Sequence, residues 1–128
     1  VVALLSHVGL DVGADHHFVV RREVAGDTAV ADLVLSSGEF KVVIENKLDA
    51  IEQPWQCRRL ADDHPEAQAL IFLTPTGRAP ATARAEDPWH SVRWSLIAKF
   101  LEALRDSSPA PGRHIAQDYL STLRRELP

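Results

Sequence analysis

Residues Val42–Lys47 read VVIENK, an apolar run that ends in an acid, an amide and a base. Valine and isoleucine favour strands because their branched side chains pack well on a pleated surface. Side chains of a strand alternate between its two faces, so Glu45 and Lys47 should share one face while Asn46 points to the other. The stretch therefore predicts a strand with a carboxylate and an ammonium side by side at its end. The alternative is a solvated strand end with a surface ion pair worth ~0.5 kcal/mol.

Upstream of this stretch, two more segments have the composition of strands. His17–Val24 and Val30–Leu35 are rich in β-branched and aliphatic residues, and Gly26-Asp27 between them is a turn signal. Ser36–Glu39 reads SSGE, which is typical hairpin chemistry, and it leads into a third strand over Phe40–Asn46. These patterns predict an antiparallel meander of three strands.

Downstream, helical and strand patterns alternate. A helix between two strands favours a crossover that adds a parallel strand to the sheet. We therefore predict an α/β fold with a central mixed sheet of about four strands, flanked by helices. Pro54 suits a first helical turn, Trp55 should pack on the sheet, and Ser95 should cap the helix that follows it. The remaining predicted elements are helices at Val1–Leu10, Trp55–Asp62, Leu96–Leu104 and His114–Leu127, a strand at Ala69–Leu73, and a short strand at Val92–Trp94.

Size and composition bound the class of protein. The 128 residues are 45% hydrophobic and 25% charged with a net charge of −4, which suits one domain and disfavours nucleic-acid binding by overall charge. Because Cys57 is the only cysteine, an internal disulfide and a cysteine-based zinc site are excluded, and a cytoplasmic location is predicted. No apolar run is long enough to cross a bilayer, so no membrane partner is expected. A chain that begins Val-Val without Met is interpreted as a fragment.

Asp32 is the second acid of interest, because it interrupts an otherwise aliphatic strand. An acid buried there without a partner would cost several kcal/mol. If the second and third strands pair, Asp32 and Glu45 approach each other, although a turn centred on Ser37-Gly38 needs a longer loop or a bulge to bring them level. Two level carboxylates on strands about 4.8 Å apart could share one divalent cation, and Mg²⁺ prefers such oxygen ligands. Lys47 could then orient the attacking water or offset charge in the transition state.

Asp32 followed by Glu45-Asn46-Lys47 at a strand end resembles the PD-(D/E)XK nuclease superfamily, which has the restriction-endonuclease-like fold. The likeness extends to a bacterial subgroup with an IENK, DQxxQL and LTPxG pattern. It covers roughly residues 23–104 and is carried by Ile44–Leu48, Glu52-Gln53, Gln56, Leu73–Arg78 and Trp94-Ser95. This resemblance implies a single nuclease-like domain over residues 1–128 that lacks an upstream N-terminal helix, and a bacterial Mg²⁺-dependent hydrolase acting on DNA.

The resemblance also assigns roles to residues. Asp32, Glu45 and the backbone carbonyl of Asn46 would be metal ligands for Mg²⁺, with Mn²⁺ as a substitute, and Lys47 would be the catalytic lysine. Gln56 would be a fourth catalytic residue, which supports the position of the substrate or of the lysine. Glu23 and Gln53 would be supporting residues. Apart from the resemblance, the arginines read as ordinary solvated charges, but Arg58, Arg59 and Arg78 lie where a groove near the site could use them as a weak substrate-binding rim.

Two alternatives remain open at this point. Leu60 replaces the aromatic residue expected in the subgroup, and the net charge is acidic, so a non-catalytic nucleic-acid- or protein-binding module is the second hypothesis. A third is a regulatory domain or homodimer that uses Leu96–Leu104 and His114–Leu127 as its interface, or that contacts a further domain or subunit.

Overall fold

The computed structural model describes residues 2–11, 18–38, 40–48, 50–107, 117, 118, 121 and 125. Within this part of the chain, no helix combines the length and the apolar character needed to cross a membrane. Five strands form one sheet in the spatial order β1-β2-β3-β4-β5. Their bounds are β1 Val19–Ala25, β2 Val30–Ser37, β3 Phe40–Asn46, β4 Ala69–Thr74 and β5 Trp89–Arg93.

The sheet is mixed, as predicted. β1, β2 and β3 form the antiparallel meander, and β4 and β5 lie parallel to β3. The expected number of about four strands is wrong because β5 is a full strand that begins at Trp89 rather than at Val92. Only Val92 is buried in β5, so the apolar signal of this edge strand is too short to reveal its length.

The hairpin between β2 and β3 corrects the predicted register. Ser37 pairs with Phe40, so only two residues separate the strands, and Gly38 has the positive φ of 55° that tight hairpins require. The turn is therefore centred one residue later than the sequence suggested. Leu33 pairs with Ile44, which makes Asp32 and Glu45 level without a longer loop or a bulge.

Helices cover both faces of the sheet. Their bounds are α1 Val2–His7, α2 Gln56–Asp63 and α3 Trp94–Ser107. The face with Val42 and Ile44 packs against α1 and α3, whereas Val43 packs against Leu60 of α2. β4 is buried along its whole length, so the core lies on both sides of β3 and β4.

Three details of the predicted helices are wrong. Trp55 does not pack on the sheet: it is 64% exposed and precedes α2 in a left-handed conformation. α3 begins at Trp94, so Ser95 lies inside the first turn and not at the N-cap. α1 ends at His7 and not at Leu10. Of the helix predicted over His114–Leu127, residues 117, 118, 121 and 125 are described and helical, and the others lie outside the described residues.

Candidate active site

The site lies where the β2–β3 ladder ends. The last recorded pair is Leu33 with Ile44, and Asp32 and Glu45 are the next residues outward on the two strands. The Asp32 side chain continues the connection between the strands, because its Oδ2 atom accepts a 2.8 Å hydrogen bond from the backbone N–H of Asn46. The hairpin geometry thus places the carboxylates of Asp32 and Glu45 at one end of the sheet. It also fixes the Asp32 carboxylate to the backbone of Asn46, the residue after Glu45.

Glu45 is the most deeply buried member of the site, with 1% of its surface exposed. Its Oε1 atom accepts a 2.7 Å hydrogen bond from Nε2 of Gln56 and lies 3.5 Å from Nζ of Lys47. The Lys47 side chain is only 11% exposed. These values contradict the solvated strand end and show a buried ion pair at the predicted position.

The second carboxylate oxygen of Glu45, Oε2, is buried and has no hydrogen-bond partner among the described residues. Burial is the main cause of a raised pKa of about 7 for Glu45, and the neighbouring charge of Asp32 raises it further, whereas Lys47 opposes the shift. Two neighbouring carboxyl groups, one of them with a buried oxygen that lacks a hydrogen-bond partner among the described residues, create a negative potential that a cation would stabilise.

Two contacts orient Gln56. Its Nε2 atom donates to Glu45, and its Oε1 atom accepts a 2.9 Å hydrogen bond from the backbone N–H of Gln53. The side chain of Gln53 is exposed and makes no recorded contact with either acid within the described residues. The structure therefore brings Gln56 to the site and leaves Gln53 outside it.

Asn46 points to the opposite face, as the alternation of a strand requires. Its Oδ1 atom accepts a 2.9 Å hydrogen bond from Nε1 of Trp94, the first residue of α3. The next residue, Lys47, donates its backbone N–H to the carbonyl of Leu73 on β4 at 2.9 Å. The sequence does not predict this contact: the Trp94-Ser95 pair belongs to the family pattern, but nothing in that pattern names Asn46 as its partner.

Glu23 on β1 stands level with Asp32, because the flanking pairs are Arg22 with Leu33 and Val24 with Ala31. The pair between them is not formed, and Glu23 has a positive φ of 51°. Glu23 and Asp32 both line an open groove of about 610 Å³. No group of three His, Cys, Asp or Glu side chains suited to a metal occurs among the described residues. The predicted Mg²⁺ ligands are two carboxylates and one backbone carbonyl, which is a different kind of set from three such side chains.

The three predicted rim arginines have different surroundings. Arg59 donates to the backbone carbonyl of Thr28 at 2.9 Å, and Arg78 forms a 3.2 Å ion pair with Glu52 and lies over the Phe72 ring. Arg58 lies 5.7 Å from the centroid of the Trp55 ring and has no acidic partner in the described ranges. Arg59 and Arg78 therefore have structural partners, and Arg58 is the one that remains available for a ligand.

Glu52 anchors the loop after β4 to the start of α2. Its carboxylate accepts hydrogen bonds from the backbone N–H groups of Ala81 and Thr82, at 2.8 and 3.0 Å, and from the Thr82 hydroxyl at 2.7 Å. Burial alone would raise the pKa of Glu52, but the bonds from Thr82 and Ala81 outweigh it and lower the pKa to about 2. Because Glu52 lies four positions before Gln56, this anchor holds the segment that carries Gln56.

No protein-family model, curated protein or solved structure gave a match to this chain. The resemblance to PD-(D/E)XK nucleases therefore stays a prediction, and the geometry of the site is the observation on which function is argued.

Proposed function

We propose that this protein is a divalent-metal-dependent phosphodiester hydrolase acting on DNA, of the PD-(D/E)XK type and with the restriction-endonuclease-like fold. One observation carries the proposal: Asp32 and Glu45 are level on adjacent strands, and the Lys47 ammonium lies 3.5 Å from Glu45. The mixed sheet, with α2 connecting β3 to the parallel strand β4, supports it.

The residues present suit a hard cation. The buried Oε2 atom of Glu45 lacks a partner among the described residues, and the nearby Asp32 charge raises the pKa of Glu45, so a cation would relieve both penalties. Asp32, Glu45 and the carbonyl of Asn46 would hold Mg²⁺, with Mn²⁺ as a substitute. When bound, such an ion polarises a phosphoryl oxygen and lowers the pKa of a bound water.

The protein's own groups would prepare this chemistry. Lys47 favours the ionised form of Glu45 and offers N–H donors to a water or to a phosphate oxygen. Gln56 fixes the orientation of the Glu45 carboxylate, while the backbone N–H of Asn46 fixes that of Asp32. A preorganised site of this kind needs little rearrangement when negative charge develops on the substrate.

The test combines metal binding with cleavage. In the first experiment, Mg²⁺ and Mn²⁺ are titrated calorimetrically into the wild type and into Asp32→Ala. In the second, linear double-stranded DNA and single-stranded DNA are incubated with the wild type, Glu45→Ala and Gln53→Ala in the presence of Mg²⁺ or EDTA. We expect heat of binding to disappear in Asp32→Ala and cleavage to disappear in Glu45→Ala and in EDTA, with Gln53→Ala active. Cleavage by Glu45→Ala at the wild-type rate would refute the mechanism.

A second candidate is a non-catalytic binding module with the same fold. Its supporting observation is that Oε1 of Glu45 already contacts Lys47 and Gln56, and that a pKa of about 7 leaves much of Glu45 protonated at neutral pH. Such a network can be purely structural. DNA binding that is indifferent to Mg²⁺ and yields no product would favour this candidate.

A further inference from the structure

The segment that leaves the site exposes large apolar side chains. Leu48, Ile51 and Trp55 are 40%, 88% and 64% exposed, and all three follow Lys47 closely in the chain. Trp55 immediately precedes Gln56, whose amide bonds to Glu45. An exposed indole therefore stands one residue from a group that contacts the buried carboxylate.

Trp55 occupies a backbone conformation that its residue type disfavours. Its φ and ψ are 61° and 17°, in the left-handed region where glycine and asparagine are the usual residues. The indole gains little burial in return, since most of it faces solvent. Neither the backbone nor the core accounts for a tryptophan here, which leaves its exposed ring as the feature to be explained.

The charge next to the ring is positive. The Arg58 guanidinium lies 5.7 Å from the ring centroid and has no acidic partner within the described ranges. Trp55 and Arg58 both line two shallow grooves, one of about 290 Å³ that also includes Asp62 and one of about 420 Å³ towards Thr82. Asp62 is paired with Arg84, which also pairs with Asp87, so this acid already has a cationic partner other than Arg58.

We propose that Trp55 and Arg58 bind one unpaired nucleotide of the substrate, with the indole stacked on the base and the guanidinium on its phosphate. The preferred substrate is then DNA with a single-stranded region or a frayed end, because base faces inside a continuous duplex are covered by their neighbours. This inference rests on the proposed function, since the strand that it holds is the one that the two acids would cleave.

The test measures binding in EDTA, where cleavage cannot contribute. Fluorescence anisotropy is recorded for a labelled oligothymidylate and for a blunt hairpin duplex with the wild type, Trp55→Leu, Trp55→Tyr, Arg58→Gln and the exposed control Ile51→Ala. We expect the wild type to prefer the single strand. Trp55→Leu should weaken its binding about five-fold or more, with Trp55→Tyr and Ile51→Ala close to the wild type. Arg58→Gln should reduce the slope of log K against log salt by about 0.7.

Equal affinity for the two DNAs, no binding of the single strand, or wild-type affinity in Trp55→Leu would overturn the proposal. A Trp55→Leu variant that turns a dimer into a monomer in light scattering, with DNA affinity unchanged, would identify a protein interface instead and also overturn it. If binding behaves as expected but no metal supports cleavage, the proposed function fails while this nucleotide site stands.

Discussion

The Nε2 atom of Gln56 lies 2.7 Å from Oε1 of Glu45 and joins the first turn of α2 to the end of β3. It is the only side-chain hydrogen bond recorded between α2 and the buried acid within the described residues. The side-chain amide of Gln56 is itself held by the backbone N–H of Gln53, just before the helix. The start of α2 therefore determines how the Glu45 carboxylate is oriented.

Replacing Gln56 tests this link. In Gln56→Leu the buried Oε1 atom loses its neutral donor, and we expect a loss of about 1–3 kcal/mol in the free energy of unfolding, measured by urea denaturation. The matched control is Gln53→Leu, whose side chain is exposed, and it should change stability by less than about 0.5 kcal/mol. Equal effects of the two substitutions would show that the contact with Glu45 contributes nothing.

Lys47→Met tests the electrostatic role of the lysine. Burial and the charge of Asp32 raise the pKa of Glu45 to about 7, and Lys47 lowers it, so removing the ammonium should raise this pKa further. Because the pKa of Glu45 is higher in the folded than in the unfolded state, ionising this carboxyl destabilises the fold. The loss of unfolding free energy therefore grows as pH rises above the ordinary Glu pKa of 4.5. We therefore expect Lys47→Met to lose more unfolding free energy at about pH 8 than at about pH 5. Lys47→Arg keeps the charge and should lose less, and a pH-independent loss would contradict the ion pair.

Glu52→Gln tests a carboxyl whose pKa is shifted in the opposite direction to that of Glu45. The folded-state pKa of Glu52 is about 2 against an ordinary value of 4.5, so its ionised form stabilises the protein above pH 4.5, and this contribution disappears as pH falls towards 2. We expect the stability difference between wild type and Glu52→Gln to be constant at neutral pH and to shrink below about pH 4.5. Unfolding by urea at a series of pH values measures it. A difference that grows in acid would show that the bonds to Thr82 and Ala81 do not stabilise the carboxylate.

Trp55→Gly tests whether the indole contributes to the stability of the fold. Glycine adopts the left-handed conformation of this position freely, so the substitution relieves backbone strain in the folded state. This gain offsets the larger conformational entropy that glycine gives the unfolded chain. We therefore expect the free energy of unfolding, measured by urea denaturation, to stay level or rise by up to about 1 kcal/mol. The control Ile51→Gly has no positive φ to relieve and should lower stability. A drop in Trp55→Gly as large as that of the control would show that the indole stabilises the fold.

Much of the architecture could be predicted from local patterns. The meander, the parallel strand β4 and the helix between β3 and β4 follow from runs of apolar residues separated by turn signals, and each signal is contained within a few neighbouring residues. β5 was underestimated because one buried residue carries its signal. The hairpin turn was misplaced by one residue because SSGE fits a turn at either position, and pairing along the whole ladder decides between them.

The candidate site likewise has a part that the sequence predicts and a part that it does not. The types and spacing of Asp32, Glu45 and Lys47 predict them as site residues, and the resemblance adds Gln56; the structure brings the four together. The bond from Trp94 to Asn46 and the anchor from Glu52 to Ala81 and Thr82 were not predicted, since each joins segments far apart in the chain. The same reason explains Arg59 and Arg78, whose partners, Thr28 and Glu52, lie on distant segments.

By itself, then, the sequence determined the mixed α/β sheet and the pair of charges at the end of β3, because alternation along a strand depends only on backbone geometry. Only the tertiary structure decided that Glu45 is buried with one oxygen unsatisfied, that Asp32 is level with it, and that Trp55 faces solvent. Burial and register depend on which distant segments pack together, and a carboxylate acquires a shifted pKa only from the neighbours that this packing supplies.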